Sequence, residues 1–324
     1  MRRTLRLVAC GALWASSLGA QGGGDSLYAA WCARCHGADA RGTPAASVRT
    51  DVPPADLASC PVNTAETEDQ WVGVVTKGGA AFGLSLDMPA YGDAGTAEQI
   101  RMVVRYVRSL CRERGWPPGE LNLPRPFLVE KAYPENEVIV AAHGRAQDVI
   151  LERRIGRRAQ VEAAVSNPFD GVTVALKYNL WHSLERRALA SVGVEATPPL
   201  CRRDRWEVEP FAAAGIERAG FVVQGEVLGG WEETEGLSGG SIRLGLGREV
   251  GRFVPMVEAG WDLPRDGGQR LAVYPQVWIR LSRLGHVAAS LGGELPAIGP
   301  APRRPKLAGF LLWDFADGPL FHGW

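Results

Sequence analysis

Two cysteines and a histidine stand together near the start of the chain, in Trp31-Cys32-Ala33-Arg34-Cys35-His36-Gly37. A Cys-x-x-Cys pair alone can be a redox dithiol or half of a zinc site. A histidine directly after the second cysteine changes the reading. Each thiol can form a thioether to a haem vinyl group, and the imidazole then sits under the iron as one axial ligand. Cys32 and Cys35 are candidate covalent anchors of one haem c, and His36 is the candidate fifth ligand.

The second informative stretch is Asp87-Met88-Pro89-Ala90-Tyr91-Gly92. A thioether sulfur is a soft ligand suited to the sixth position of iron, where it raises the reduction potential. The proline after Met88 stiffens the loop that must hold it there. The chain has four methionines. Met1 leaves with a leader, Met102 falls on a predicted helix and Met256 on a predicted strand. Met88 is thus the natural partner of His36, against the plainer role of core filler. Pro54, in Pro53-Pro54-Ala55-Asp56-Leu57, and Tyr91 are further candidate cofactor contacts.

Helices must position these residues. A short one through Leu27, Tyr28 and Trp31, capped by Asp25 or Ser26, leads into the motif. An amphipathic segment from Glu68 to Thr76 carries Trp71, Val72 and Val75 on one face and ends at Lys77-Gly78-Gly79. A closing helix starts near Thr96, with Ile100, Val103, Val104, Val107 and Leu110 in one apolar stripe. Tyr106 is expected to pack near Tyr28 or Trp31.

Residues 24 to 112 resemble a small class I-type cytochrome c domain: Cys-x-x-Cys-His near the start, a Met-Pro loop later, a final helix. The resemblance implies His36 and Met88 as axial ligands, Cys32 and Cys35 as covalent anchors, and electron transfer as the activity. The residues read by themselves agree with each assignment. Such a six-coordinate iron leaves no open position for substrate, which favours an electron carrier over a catalyst. Cys60 and Cys111 lie in the same region. They are either a disulfide or two buried thiols, and an oxidising compartment favours the bond.

Arg2 and Arg3 precede an apolar run from Leu5 to Leu18 with Gly19 and Ala20 at its end, the pattern of a secretory signal peptide over residues 1–20. Export fits haem c, which is attached outside the cytoplasm. Formal net charge is zero, and no basic stripe argues for nucleic acid.

After the expected cytochrome c domain at 22–114 comes a proline-rich connection at 115–135, from Trp116-Pro117-Pro118-Gly119 to Leu123-Pro124-Arg125-Pro126. Beyond it the hydrophobic period changes to two. In Val172-Thr173-Val174-Ala175-Leu176-Lys177-Tyr178-Asn179-Leu180, apolar residues alternate with polar or small ones, and about twelve such segments follow one another. Each has the length of a tilted membrane strand. Short connections near 156–158, 217–218, 250–251 and 284–285 alternate with longer polar ones at 197–205, 232–239, 263–268 and 297–304. Trp181, Trp206, Trp231, Trp261, Phe221, Phe253 and Phe315 fall near strand ends, where interfacial aromatic girdles belong. Trp324 can serve as a terminal aromatic. Glu162, Glu195, Glu207, Glu209, Glu226, Glu258 and Glu294, facing Lys177, Arg243 and Arg280, are expected inside.

Residues 136–324 thus resemble, by pattern alone, bacterial outer-membrane transporter-like barrels. A soluble sandwich or lipocalin-like barrel is the alternative. The combined expectation is an all-α cytochrome c domain followed by an antiparallel transmembrane β-barrel. It would carry single electrons in the periplasm, held at the outer membrane, with periplasmic redox proteins and membrane lipid as partners. The alternative is a porin or transporter in which the cytochrome domain acts as plug or redox gate.

Overall fold

The structure, a computed structural model, describes residues 23–167, 171–200, 204–282, 285–300 and 304–315. The expected signal peptide, Cys10, Cys201, His322 and Trp324 lie outside these residues.

Six α-helices build the N-terminal part: α1 Gly24–Trp31, α2 Ala33–His36, α3 Ala45–Val48, α4 Cys60–Ala65, α5 Glu68–Lys77 and α6 Ala97–Ser109. Thr67 and Thr96 head α5 and α6 with full capping boxes, each hydroxyl accepting from the N3 amide while Gln70 or Gln99 reaches back. The α1 cap is Gly23, and Asp25 instead sits in the first turn, where its charge suits the helix dipole. Ile100, Val103, Val104 and Val107 of α6 are buried, as the stripe requires. Tyr106 meets Tyr28 with ring centroids 5.4 Å apart. Cys60 and Cys111 form a disulfide that ties α4 to the end of α6.

Twelve antiparallel strands follow. They are β1 Glu137–His143, β2 Ala146–Ile155, β3 Ala159–Asn167, β4 Val172–Ser183, β5 Ala188–Thr197, β6 Glu207–Arg218, β7 Phe221–Glu232, β8 Gly236–Arg248, β9 Phe253–Pro264, β10 Arg270–Arg280, β11 Val287–Ile298 and β12 Lys306–Asp314. Each pairs with its neighbours in sequence, and β1 pairs with β12, Ile139 opposite Leu312, so the sheet closes. Closure leaves no edge.

The barrel is apolar outside and polar inside. Along β4, Val174, Leu176, Tyr178 and Leu180 are exposed, whereas Lys177 and Asn179 are buried. The same holds around the ring, with Val149 and Leu151, Ile242, Leu244 and Leu246, and Leu291 and Leu295 all exposed. A soluble barrel would turn these residues inward. Aromatic residues form two exposed rows: Trp181, Phe221 and Phe253 at one end, Trp206, Trp231 and Trp261 at the other. Phe315 departs from the expectation. It is buried against Trp313, and its amide donates to the Asn136 carbonyl at the start of β1. It closes the seam instead of joining the girdle.

Short turns gather at the end nearest the helical part, where Arg157 and Arg158 donate to the Arg114 and Gly115 carbonyls. One connection at the far end is shorter than expected, since β7 runs to Glu232 and β8 already starts at Gly236. At the same end β1 and β2 are joined by Gly144 and Arg145 alone.

Candidate functional site

The haem motif is held by backbone bonds that its own loop supplies. The His36 amide bonds the Cys32 carbonyl at 2.9 Å, and Gly42 and Thr43 return to the His36 and Cys35 carbonyls at 2.8 and 3.0 Å. Gly42 has φ +85° and lies so close to the Pro54 carbonyl that a Cβ would stand 2.3 Å from it. This puts Pro54 against the motif through its backbone. The next residue completes the arrangement, since the Ala55 carbonyl lies 3.1 Å from His36 Nδ1. Nδ1–H donates in that bond, which leaves the Nε2 lone pair available to a metal. Burial lowers the His36 pKa, and the Ala55 bond only partly offsets it, so the ring is neutral at neutral pH.

Met88 is held from the other side. Its carbonyl accepts from the Gly79 amide at 3.0 Å, and the Tyr91 amide donates to Val75 at 2.9 Å. Gly78, with φ +79°, permits this close approach, because a Cβ there would meet Ala90 N and the Met88 carbonyl at 2.9 and 3.0 Å. Met88 and Tyr91 join Trp31, Trp71 and Val72 around the buried Val75, Ile100 and Val104. Trp31 and Tyr91 stack with centroids 5.5 Å apart, and the Tyr91 hydroxyl donates to the Trp31 carbonyl at 2.5 Å. The Met88 loop is therefore pinned to the residue immediately before Cys32. Thus the fold brings Tyr91 and Met88 to Trp31, and Pro54 to Gly42 of the loop that follows His36.

Three features test whether a haem c fits. Cys32 and Cys35 carry free thiols although Cys60 and Cys111 are bonded to each other. Burial, with Cys35 nearby, pushes the Cys32 thiol up to about 11, so it rests as a protonated thiol. His36 presents one nitrogen by virtue of the other's bond. Trp71 Nε1 is buried with no hydrogen-bond partner among the described residues, a donor placed between the Cys32 and Met88 clusters. A buried orphan donor is costly, and a cofactor carboxylate is a suitable acceptor. The residues fit the group. Sequence reasoning placed Trp71 only on an apolar face and missed its ring nitrogen.

A second region was legible only as a connection. The 115–135 stretch joins the two parts, but it does not lie in solvent: Gly119 and Glu120 lie against Ala65, Glu68 and Arg108 of the helical part, and residues 121–136 fill the barrel. Leu121, Leu123, Ala132 and Tyr133 are buried against Leu189, Phe211, Ala213 and Val222 of the wall. Phe127 meets Phe310 edge-on at 5.7 Å. Arg125 pairs with Glu152, Glu137 and Glu130 at 2.7, 3.2 and 3.5 Å, and Lys131 with Glu135 and Glu137 at 2.5 and 2.8 Å. The sequence signal was the run of large apolar residues among the prolines, too many for a solvated tether. Beyond this strap, at the far mouth, the lumen opens into a vestibule of about 300 Å³ lined in part by Glu209, Ser238, Arg243, Asp262 and Arg270.

The helical part rests on the near end of the barrel. Arg108 donates to the Glu66 carbonyl at 2.6 Å and pairs with Glu120 at 2.9 Å. His286, in the turn before β11, lies 3.2 Å from the Glu66 carboxylate.

Residues 20–107 match the family model described as cytochrome C oxidase, cbb3-type, subunit III, and the helical part is a cytochrome c domain of that type. Haem c is what such a domain implies. No curated protein matches the chain. Among solved structures, the KdgM porin aligns with 55% of this chain and 98% of its own, at 7% identity and TM-score 0.43. The NanC porin gives the same coverage at 7% identity and 0.42. The outer membrane protein opdK from Pseudomonas aeruginosa covers 54% and 60% at 9% identity and 0.33. Here the strand topology, the closed ring and the exposed faces describe the barrel by themselves.

Proposed function

We propose that this chain is a mono-haem c-type cytochrome fixed to the bacterial outer membrane by its barrel, with the haem domain in the periplasm, passing single electrons between periplasmic redox proteins. The observation that carries the reading is the inverted barrel, apolar outside and charged within, joined to a domain whose Cys32 and Cys35 stay unpaired beside a held His36.

When bound, haem c supplies an iron that accepts and releases one electron. Cys32 and Cys35 would anchor it through thioethers, and His36 Nε2 and Met88 Sδ would hold its iron. The Ala55 carbonyl orients the imidazole and fixes its proton on Nδ1. Trp31, Val72 and Tyr91 exclude water from the Met88 side, which favours the reduced, less charged state. Trp71 Nε1 would hold a cofactor carboxylate. Against the lipid, the exposed apolar belt between the two aromatic rows supplies the driving force for insertion. The lumen filled by residues 121–136 supports tethering over solute transport as the barrel's task.

Haem staining of an outer-membrane fraction, with gel migration before and after boiling, tests the whole. A haem-positive band that shifts on boiling is expected. A colourless mature protein, or one recovered in buffer without detergent, would sink the reading.

A further inference from the structure

A ring of twelve strands is wider than the eight-stranded barrels whose own side chains fill them, and narrower than open sixteen-stranded pores. Such a lumen has room for more than the side chains of its own wall. The strap does so, and the wall is shaped for it. A Cβ at Gly260 would stand 2.9 Å from Leu128 Cδ1, and one at Gly215 2.7 Å from Leu123 Cδ1. Glycine at these inward positions makes room for strap side chains.

One wall residue seats the strap. Glu258 of β9, 1% exposed, accepts the consecutive backbone N–H groups of Phe127, Leu128 and Val129 at 2.6, 2.9 and 3.0 Å. The Gln276 side-chain amide donates to the same carboxylate. Three successive amides converging on one anion form a nest, a charge-assisted grip on bare backbone. Single bonds flank it: Arg243 donates to the Leu128 carbonyl at 2.9 Å, Gln224 to the Pro124 carbonyl at 2.8 Å.

The strap also hides the charge of the wall. On the wall Glu137, Glu152, Glu162, Glu226 and Glu258 outnumber Lys177 and Arg243; on the strap Arg125 and Lys131 are balanced by Glu130 and Glu135, so the strap pairs with and covers these carboxylates without cancelling their surplus. Without the strap the lumen is acidic, and an acidic ring favours cations.

We propose that residues 121–135 are a stopper without which the barrel is a cation-preferring pore, and that Glu258 is the clasp that seats it. This rests on the barrel spanning a membrane.

Conductance across planar bilayers tests it, using the full haem-loaded chain in three forms. They are the natural chain, one with residues 121–135 replaced by an equal length of Gly and Ser, and Glu258→Gln. Migration before and after boiling reports barrel formation for each. The natural chain should be silent. The Gly/Ser form should give discrete openings, with a reversal potential in a salt gradient that reports cation preference. Glu258→Gln keeps one oxygen acceptor but no charge, so its open fraction should rise about tenfold or more over the natural chain. A natural chain that conducts, a folded Gly/Ser form that stays silent, or one that prefers anions overturns the stopper. A folded Glu258→Gln form as silent as the natural chain overturns the clasp. Protein that never enters the bilayer or shifts on boiling overturns the membrane reading, and this proposal with it.

Discussion

Lys177 Nζ, buried in the barrel wall, lies 2.5 Å from a carboxylate oxygen of Glu130 in the strap and donates to the Lys131 carbonyl at 2.7 Å. Forty-seven residues separate the pair in sequence. Removing one partner of a buried ion pair leaves the other charge uncompensated, at a cost of about 3–5 kcal/mol. Lys177→Met should therefore lower the denaturant midpoint of the detergent-solubilised barrel. The double variant Lys177→Met/Glu130→Gln should recover most of the loss, because no lone charge remains. Equal loss in both would deny the coupling.

That pair also marks where sequence reading stops. The haem motif, the Met88 loop and the alternation in β4 are local patterns, each set by spacing within a few residues, so they are visible in one dimension. Lys177 is readable as inward-facing by parity alone. Its partner is not: the apolar residues among the prolines mark a segment that must be covered, but nothing local says that a ring of strands further along the chain does the covering. The Trp71 nitrogen escaped for a related reason: a helical stripe reveals which ring faces inward, but not whether its polar atom finds an acceptor. Phe315 failed as a girdle residue because strand-end position does not specify which face the closing seam will bury.

Met88 offers a direct test of the haem site. Met88→Ala leaves Cys32, Cys35 and His36 untouched, so the protein should still stain for covalent haem. Its iron should then bind carbon monoxide readily, which the natural chain should resist, and its reduction potential should fall. Cys32→Ala should instead weaken the stain by removing one thioether. A Met88→Ala form with the natural spectrum and potential would give the sixth position to another group.

Glu66 makes stability depend on pH. Burial pushes its carboxyl up to about 7; the Asp314 charge adds to this, and His286 and Arg108 oppose it. An unfolded glutamate titrates near about 4.3. Between those values the folded protein binds the extra proton, so stability falls as pH rises through this window and levels off above it. Thermal midpoints across the window should decline for the natural chain. Glu66→Gln should flatten the decline, and an unchanged slope would assign it elsewhere.

The disulfide between Cys60 and Cys111 closes a span of 51 residues. Loop-closure entropy for that length is worth about 4 kcal/mol. Replacing both cysteines by serine should lower the thermal midpoint of the helical domain, followed by haem absorbance, while the boiling-dependent shift of the barrel stays unchanged. The two readouts separate because the bond lies wholly within the helices, and a loss of both would mean that the domains unfold as one unit.

Leu176 decides what surrounds the barrel. It is 51% exposed at the middle of β4, and Val161 and Val194, its partners across the two neighbouring strands, are exposed as well. In water an arginine at such a position is tolerated within about 0.5 kcal/mol. Facing hydrocarbon, the same change costs about 2–4 kcal/mol at the bilayer midplane and much less near either interface. Leu176→Arg should therefore destabilise the barrel folded into phospholipid vesicles by that larger amount. Leu180→Arg, nearer the Trp181 end of the strand, should cost distinctly less. A depth-dependent pair of losses can arise only from a layered solvent, since a uniform aqueous surface would return two small and similar values.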